Sequence, residues 1–127
     1  MKQDRVKEIT VMNSIEVKNT KVLMALLDTP IHVRMKELIT WVSDRYPIVI
    51  TCAYEDRDYS SVHSTIPCRG LDLRSWIYDD PELIVKDINK NWSYDSKRPE
   101  KLCAIYHDVG RGAHIHLQVH NSTKQRN

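Results

Sequence analysis

Residues 112–120, GAHIHLQVH, carry three of the chain's six histidines at alternate positions in an otherwise apolar run. Strand side chains alternate between faces, so His114, His116, Gln118 and His120 share one face and Ile115, Leu117 and Val119 the other. The apolar face belongs against a core. His114 and His116 then project together, with Cα atoms roughly 6.5–7 Å apart at the usual strand rise. Two imidazoles at that spacing can address one metal ion, or one can ligate while its neighbour moves protons. His120 lies roughly 13 Å beyond His116, too far to join them, and suits an ordinary polar position.

A second constellation stands upstream. His63 follows a polar stretch, and Asp72 comes nine residues later, flanked by Leu71 and Leu73 in RGLDL. A carboxylate in such a run is costly to bury unless it is paired or bound to metal. Two neutral imidazoles and one carboxylate, with a fourth position left to water, make a common catalytic zinc set. His63, Asp72 and His116 would supply it, leaving His114 beside the open position. The spacing alone allows a plainer alternative equally well, in which Asp72 pairs with Arg69 or Arg74 and His63 is a solvated loop residue.

These residues need elements to position them. VLMALLD (22–28) is an apolar cluster suited to a helix stopped by Thr29-Pro30. From Val33 to about Tyr46, the spacing of Val33, Met35, Leu38, Ile39 and Val42 predicts a helix ended by Pro47. IVITCAY (48–54) reads as a buried strand, EDRDYSSVHSTIPC (55–68) as an ordered loop and RGLDLRS (69–75) as a short strand. Asp79-Asp80-Pro81-Glu82 is a helix start, SYDSKRPEK (93–101) a loop, and LCAIYHD and AHIHLQV are strands joined through Gly110 and Gly112. The expected fold is α+β: one domain over residues 1–127, with helices packed on a small central antiparallel sheet and the hairpin at its centre. Trp41, Trp76 and Trp92 read as packing residues, with Trp76 also placed to line a cleft. His107 reads as a strand-end residue able to face the site from across the turn, and His32 has no evident partner.

Bulk properties narrow the function classes. At 127 residues the chain can bury a core without disulfides. Nineteen basic residues against seventeen acidic ones, scattered along the chain, give no reason to expect nucleic acid as a partner. Cys52, Cys68 and Cys103 form no CxxC pair, so a thiolate zinc knuckle or redox motif is not expected, and unpaired thiols fit synthesis in a reducing cytoplasm. Cys68 reads as a small buried residue. MKQDRVKEITVMNS lacks the apolar core of a signal peptide, and no run approaches a membrane span.

The order of these motifs resembles the metallopeptidases that cleave D-amino-acid-containing peptidoglycan peptides, the D-Ala-D-Ala carboxypeptidase and phage endolysin group related to lysostaphin-type enzymes. Ser61-Val62-His63 matches that family's Ser-x-His, Gly70-Leu71-Asp72 its small-x-Asp, and His114-Ile115-His116 its histidine strand, over about residues 33–119. The upstream ITCAYEDR resembles the family's strand and substrate-facing arginine, with Arg57 in that place. The resemblance implies a hedgehog/D-Ala-D-Ala-peptidase-like fold, with Zn2+ on His63, Asp72 and His116 and His114 as general acid/base. It also implies Arg57 and Ser61 at the substrate. The chain departs from the pattern in two ways. His63 and Asp72 are separated by eight residues rather than six, with Ile66 where a glycine usually stands, and Ala113 replaces a frequent glutamate.

The expectation that follows is a zinc peptidase on peptidoglycan stem or cross-link peptides, phage or prophage endolysin-like or D,D-carboxypeptidase-like. It would be a monomer made in the cytoplasm without a signal peptide, acting on the wall after release or as part of a virion. The alternative is an inactive metal-binding module in virion assembly or wall binding. A magnesium-type nuclease site is weaker, because no carboxylate cluster is present.

Overall fold

A computed structural model describes residues 14–56, 61–108 and 112–127. Arg57, residues 109–111 of the expected hairpin connection and most of the MKQDRVKEITVMNS segment lie outside the described residues. In chain order the elements are β1 (Ile15–Val17), α1 (Thr20–Asp28), α2 (Val33–Arg45), β2 (Ile48–Cys52), a 3-10 turn (Val62–Ser64), β3 (Gly70–Arg74), α3 (Pro81–Asn91), β4 (Trp92–Ser93), β5 (Ala104–Asp108), β6 (Ala113–Gln118) and β7 (Lys124–Gln125). The fold is α+β, as expected.

Each helix begins on a side-chain cap, which satisfies one of the backbone donors a helix leaves unpaired. Asn19 Oδ1 accepts from the Val22 N–H at 3.1 Å, and Asp80 Oδ1 from the Leu83 N–H at 3.3 Å, ahead of Pro81 in the first turn. His32 caps α2 through Nδ1, which accepts from the Arg34 N–H at 3.0 Å. Its proton therefore sits on Nε2, which donates to Asn121 Oδ1 at 2.8 Å. This gives His32 the partner its sequence neighbours did not suggest.

Five strands form one sheet in the order β1-β2-β3-β6-β5. Two expectations need correcting. The sheet is not wholly antiparallel, because β1 runs parallel to β2 at one edge. The hairpin is not central either: β3 occupies the middle, β6 lies beside it, and β5 is the other edge. The central strand is therefore the one that carries Asp72. A two-stranded sheet of β4 and β7 was also not foreseen, since Trp92 and Ser93 extend the end of α3 and pair with Gln125 and Lys124.

One face of the large sheet builds the core. Leu71 and Leu73 of β3 and Ile115 and Leu117 of β6 are fully buried there with Met35, Leu38 and Val42 of α2 and Ile88 of α3. Truncating one such side chain to alanine costs about 2–5 kcal/mol. The α2 face differs slightly from its expected form: Val33 is exposed at the helix start, and Trp41 is buried, edge-to-face with Trp92 at 6.2 Å between ring centres. Burying the leucines and isoleucines of β3 and β6 on this side commits Asp72, Arg74, His114 and His116 to the other.

Candidate metal centre

Register across the sheet assembles the site. Asp72 stands directly opposite His116 on β6 and opposite Cys52 on β2, while Arg74 stands opposite His114. Cys52 reaches this row through a β-bulge. Ile50 pairs with Leu73 and Cys52 with Asp72, so two steps on β2 answer one on β3. Strict alternation from Ile48 and Ile50 would have sent Cys52 into the core. The extra residue re-aims it at Asp72, as bulges do. Thr51, the residue taken up by the bulge, hydrogen-bonds through its hydroxyl to the Asp72 carbonyl at 3.3 Å.

His63 arrives from the other direction on the 3-10 turn. The turn is fastened by Ser61, whose hydroxyl accepts from the His63 N–H at 3.2 Å, and by backbone bonds from Glu55 N–H to the His63 carbonyl and from Arg69 N–H to the Val62 carbonyl. Gly70 lets it come close: a β-carbon there would lie 2.5 Å from Val62 Cγ2 and 3.3 Å from the His63 nitrogen. This gives the small residue of Gly-Leu-Asp a steric reason. His63 ends only 2% exposed and Asp72 8%. The alternative of a solvated His63 with Asp72 paired to an arginine is thereby set aside. Arg69 instead donates to the Val119 carbonyl at 3.2 Å, and Arg74 stacks on Trp76.

Hydrogen bonds decide which nitrogen each imidazole turns inward. His63 Nδ1 lies 2.8 Å from the Ala53 carbonyl, which only accepts, so Nδ1 carries hydrogen and Nε2 faces Asp72 Oδ1 at 3.1 Å. His116 is fixed by Gln118, whose amide nitrogen donates to the Leu102 carbonyl at 2.8 Å. Gln118 Oε1 is then turned to His116 Nε2 at 3.2 Å and accepts from its N–H, which leaves His116 Nδ1 facing Asp72 Oδ1 at 2.9 Å. Both rings thus turn their second nitrogen to the same carboxylate oxygen, where it donates to Asp72 and from where, once deprotonated, it could ligate a metal, with the outer-shell partners typical of metal ligands.

The electrostatics match that convergence. Burial alone would lower the His63 pKa, but its hydrogen bond to Asp72, then its contact with Cys52, carry it up to about 10. Burial likewise opposes the Asp72 charge, yet hydrogen bonds from His116 and His63 hold its carboxyl well below the usual range. Without an ion, His63 and Asp72 form a buried ion pair in which a proton occupies the place a cation would take. The Cys52 sulfur, His63 and Asp72 offer ligand atoms all within 4.8 Å of one another, so this buried group could hold a metal ion, and His116 approaches the same carboxylate oxygen.

His114 sits one step away. Its Nε2 is 3.7 Å from Asp72 Oδ2, beyond hydrogen-bond range, and its Nδ1 is 3.4 Å from the Gly112 carbonyl. His107 pairs with it across the hairpin, ring centres 4.6 Å apart, and also lies 5.8 Å from His116. Burial, and then the nearness of His114 and His116, push the His107 pKa down. His107 thus faces the site from across the turn. His120 does not join the cluster; its ring turns to Tyr94 and to the Ser122 N–H.

Of the six expected site residues, His63, Asp72, His116 and His114 meet on this face, Ser61 lies beside them as the cap of the turn, and Arg57 falls outside the described residues. Cys52 was missed, since its alternation with Ile48 and Ile50 signals core. All of this opens into a cleft of about 1220 Å³. No protein-family model, curated protein or solved structure matches the chain.

Proposed function

We propose that the protein is a zinc-dependent peptidase acting on peptidoglycan stem or cross-link peptides, on a hedgehog/D-Ala-D-Ala-peptidase-like fold. The observation that carries this reading is the meeting of His63, Asp72 and His116, each imidazole turning one nitrogen to the same carboxylate oxygen, in the same chain order as the Ser-x-His, small-x-Asp and His-x-His motifs. Two nitrogens and a carboxylate suit zinc. A zinc ion held there supplies Lewis acidity, polarising a carbonyl and activating water near neutral pH. His114, beside Asp72 but not bonded to it, takes the proton of the attacking water and returns it to the leaving amine, a role typically worth about 10²–10⁴-fold. Ser61, whose hydroxyl oxygen accepts from the His63 backbone, keeps its proton for a substrate acceptor, and Arg57 is assigned to the substrate on the motif resemblance alone.

Cys52 favours a second reading. With its thiolate as fourth ligand the metal would be enclosed, as structural zinc sites are, and the domain would be an inactive metal-binding module in virion assembly or wall binding. Purified protein is expected to hold one zinc per chain, and Asp72→Ala to lose it; stoichiometric zinc in that variant contradicts the ligand set. His114→Ala should keep zinc and lose lysis of chloroform-treated Gram-negative cells. Equal lysis by both proteins, or none by either, favours the enclosed module. So does a cobalt-substituted protein whose thiolate charge-transfer band disappears in Cys52→Ser.

A further inference from the structure

A second pair of imidazoles adjoins the proposed metal centre and supplies none of its ligands. His107 and His114 stand directly opposite each other on β5 and β6, where facing β-carbons are about 4.5–5.5 Å apart. Their ring centres lie 4.6 Å apart, with 64° between the planes. His63 and His116, the imidazoles of the first centre, show nearly the same relation, 5.2 Å and 62°. Two imidazoles on one tetrahedral zinc have ring centres about 5 Å apart. Both pairs are therefore arranged as two ligands of one ion are.

Asp72 stands between the two pairs and divides its oxygens. His63 and His116 both meet Oδ1. Among the described residues, Oδ2 is approached by His114, whose Nδ1 faces the Gly112 carbonyl and whose Nε2 stops 3.7 Å from that oxygen. The gap is too long for a hydrogen bond but close to the roughly 3.4 Å that separates two donors on one tetrahedral zinc. His107 adds an independent observation: its Nε2 is buried and has no hydrogen-bond partner among the described residues. A buried polar nitrogen in that state is costly and calls for a partner. Asp72, His107 and His114 all line the cleft, so a hydrated ion can reach them.

We propose that His107, His114 and Asp72 Oδ2 form a second, weaker site for a divalent transition-metal ion, and that filling it inhibits hydrolysis. The inhibition rests on the peptidase reading above; the binding of the ion does not. Two imidazoles and a carboxylate oxygen suit zinc, nickel or copper rather than magnesium. An ion on His114 Nε2 occupies the lone pair that would otherwise accept the proton of the attacking water. One ion thus activates and a second arrests. Electrostatics make the second site the weaker one. Arg74, directly opposite His114 on β3, holds its positive charge over Trp76, which is exposed rather than packed as its sequence suggested. Lys18 and Lys21 line the same cleft, and an ion in the first centre adds its charge across Asp72. Purified protein therefore retains one zinc, and the second binds only from excess.

The test follows zinc binding by equilibrium dialysis and, in parallel, lysis of chloroform-treated Gram-negative cells over the same range of free zinc. Wild-type protein should approach two zinc ions per chain at high free zinc and lose lysis as the second binds. His107→Gln and His114→Ala should each bind the second ion at least about 10-fold more weakly, since loss even of an outer-shell partner costs about 10- to 100-fold. Retention of the first zinc by both variants reports an intact fold and first centre. Lysis by His107→Gln, measured against its own one-zinc rate, should withstand correspondingly more zinc. Saturation of the wild type at one ion or none overturns the second site, as does a second ion that survives either substitution. A second ion that leaves lysis at the one-zinc rate overturns the inhibition. If no zinc concentration gives lysis, the peptidase reading fails separately, and the dialysis result still decides about the site.

Discussion

At the scale of single residues, the site depends on groups that never touch the shared carboxylate oxygen. Gln118 is the clearest example. Its amide nitrogen is spent on the Leu102 carbonyl, so its oxygen is the part that meets His116, and that choice presents Nδ1 to Asp72. Replacing Gln118 with leucine removes the acceptor and frees the imidazole to turn or to change tautomer. Loss of such an outer-shell partner typically costs about 10- to 100-fold in metal affinity. Gln118→Leu should therefore release zinc to a competing chelator at correspondingly lower chelator concentration, with the fold intact by circular dichroism. An unchanged affinity would mean that packing alone orients His116. Gln118 was visible in the sequence as a member of the histidine face, but its task was not, because the task is set by a carbonyl sixteen residues away on β5's approach.

At the scale of elements, legibility followed the range of the forces involved. Strand alternation on β6, the Asp-Pro start of α3 and the leucines flanking Asp72 are local patterns, and His114, His116 and Asp72 came from them, while His63 came with the Ser-x-His motif. What stayed hidden was long-range. The bulge that flips Cys52 exists only in the pairing of β2 with β3, and the parallel placement of β1 depends on a crossover that no local pattern encodes. The approach of the 3-10 turn to β3 is likewise a tertiary matter, and it makes a sharp prediction about Gly70. A β-carbon there meets Val62 Cγ2 at 2.5 Å, so Gly70→Ala must displace the turn that carries His63. Overpacking of this kind costs typically about 1–3 kcal/mol, and here it should also weaken zinc binding. Val62→Ala removes the clashing methyl. The double variant should regain stability and zinc affinity relative to Gly70→Ala alone, a coupling that a double-mutant cycle measures directly. Simple additivity of the two substitutions would show that the clash is relieved some other way.

At the scale of the whole molecule, the core buries Cys103 and half-buries Tyr46 and Tyr78 away from the metal centre, and these help to set how stability changes in alkali. Burial pushes the Cys103 thiol up to about 12. Tyr46 rises to about 12 through burial and its 2.5 Å hydrogen bond to Asp87, and Tyr78 rises to about 12 through burial. In the unfolded chain these groups ionise near their ordinary values, about 8.5 for a thiol and 10 for a phenol. Each folded-state pKa is therefore raised, so the folded chain holds its protons where the unfolded chain has lost them. The stabilisation is complete below the unfolded pKa and is lost as pH rises toward the folded one. Of these groups Cys103 begins to lose its contribution first, and the tyrosines follow above about pH 10. His63, raised to about 10 when no ion is bound, loses its contribution in the same way from lower pH, so urea midpoints of the metal-free protein should fall progressively between about pH 7 and 11, with circular dichroism and tryptophan fluorescence in agreement. Tyr46→Phe keeps the ring that packs edge-to-face on Tyr78 but removes both the ionisation and the bond to Asp87. That variant should be less stable than the parent at pH 8 and should lose less on going to pH 11. Parallel curves for the two proteins would show that Tyr46 ionises alike in the folded and unfolded chains, and would leave the alkaline sensitivity to His63, Cys103 and Tyr78.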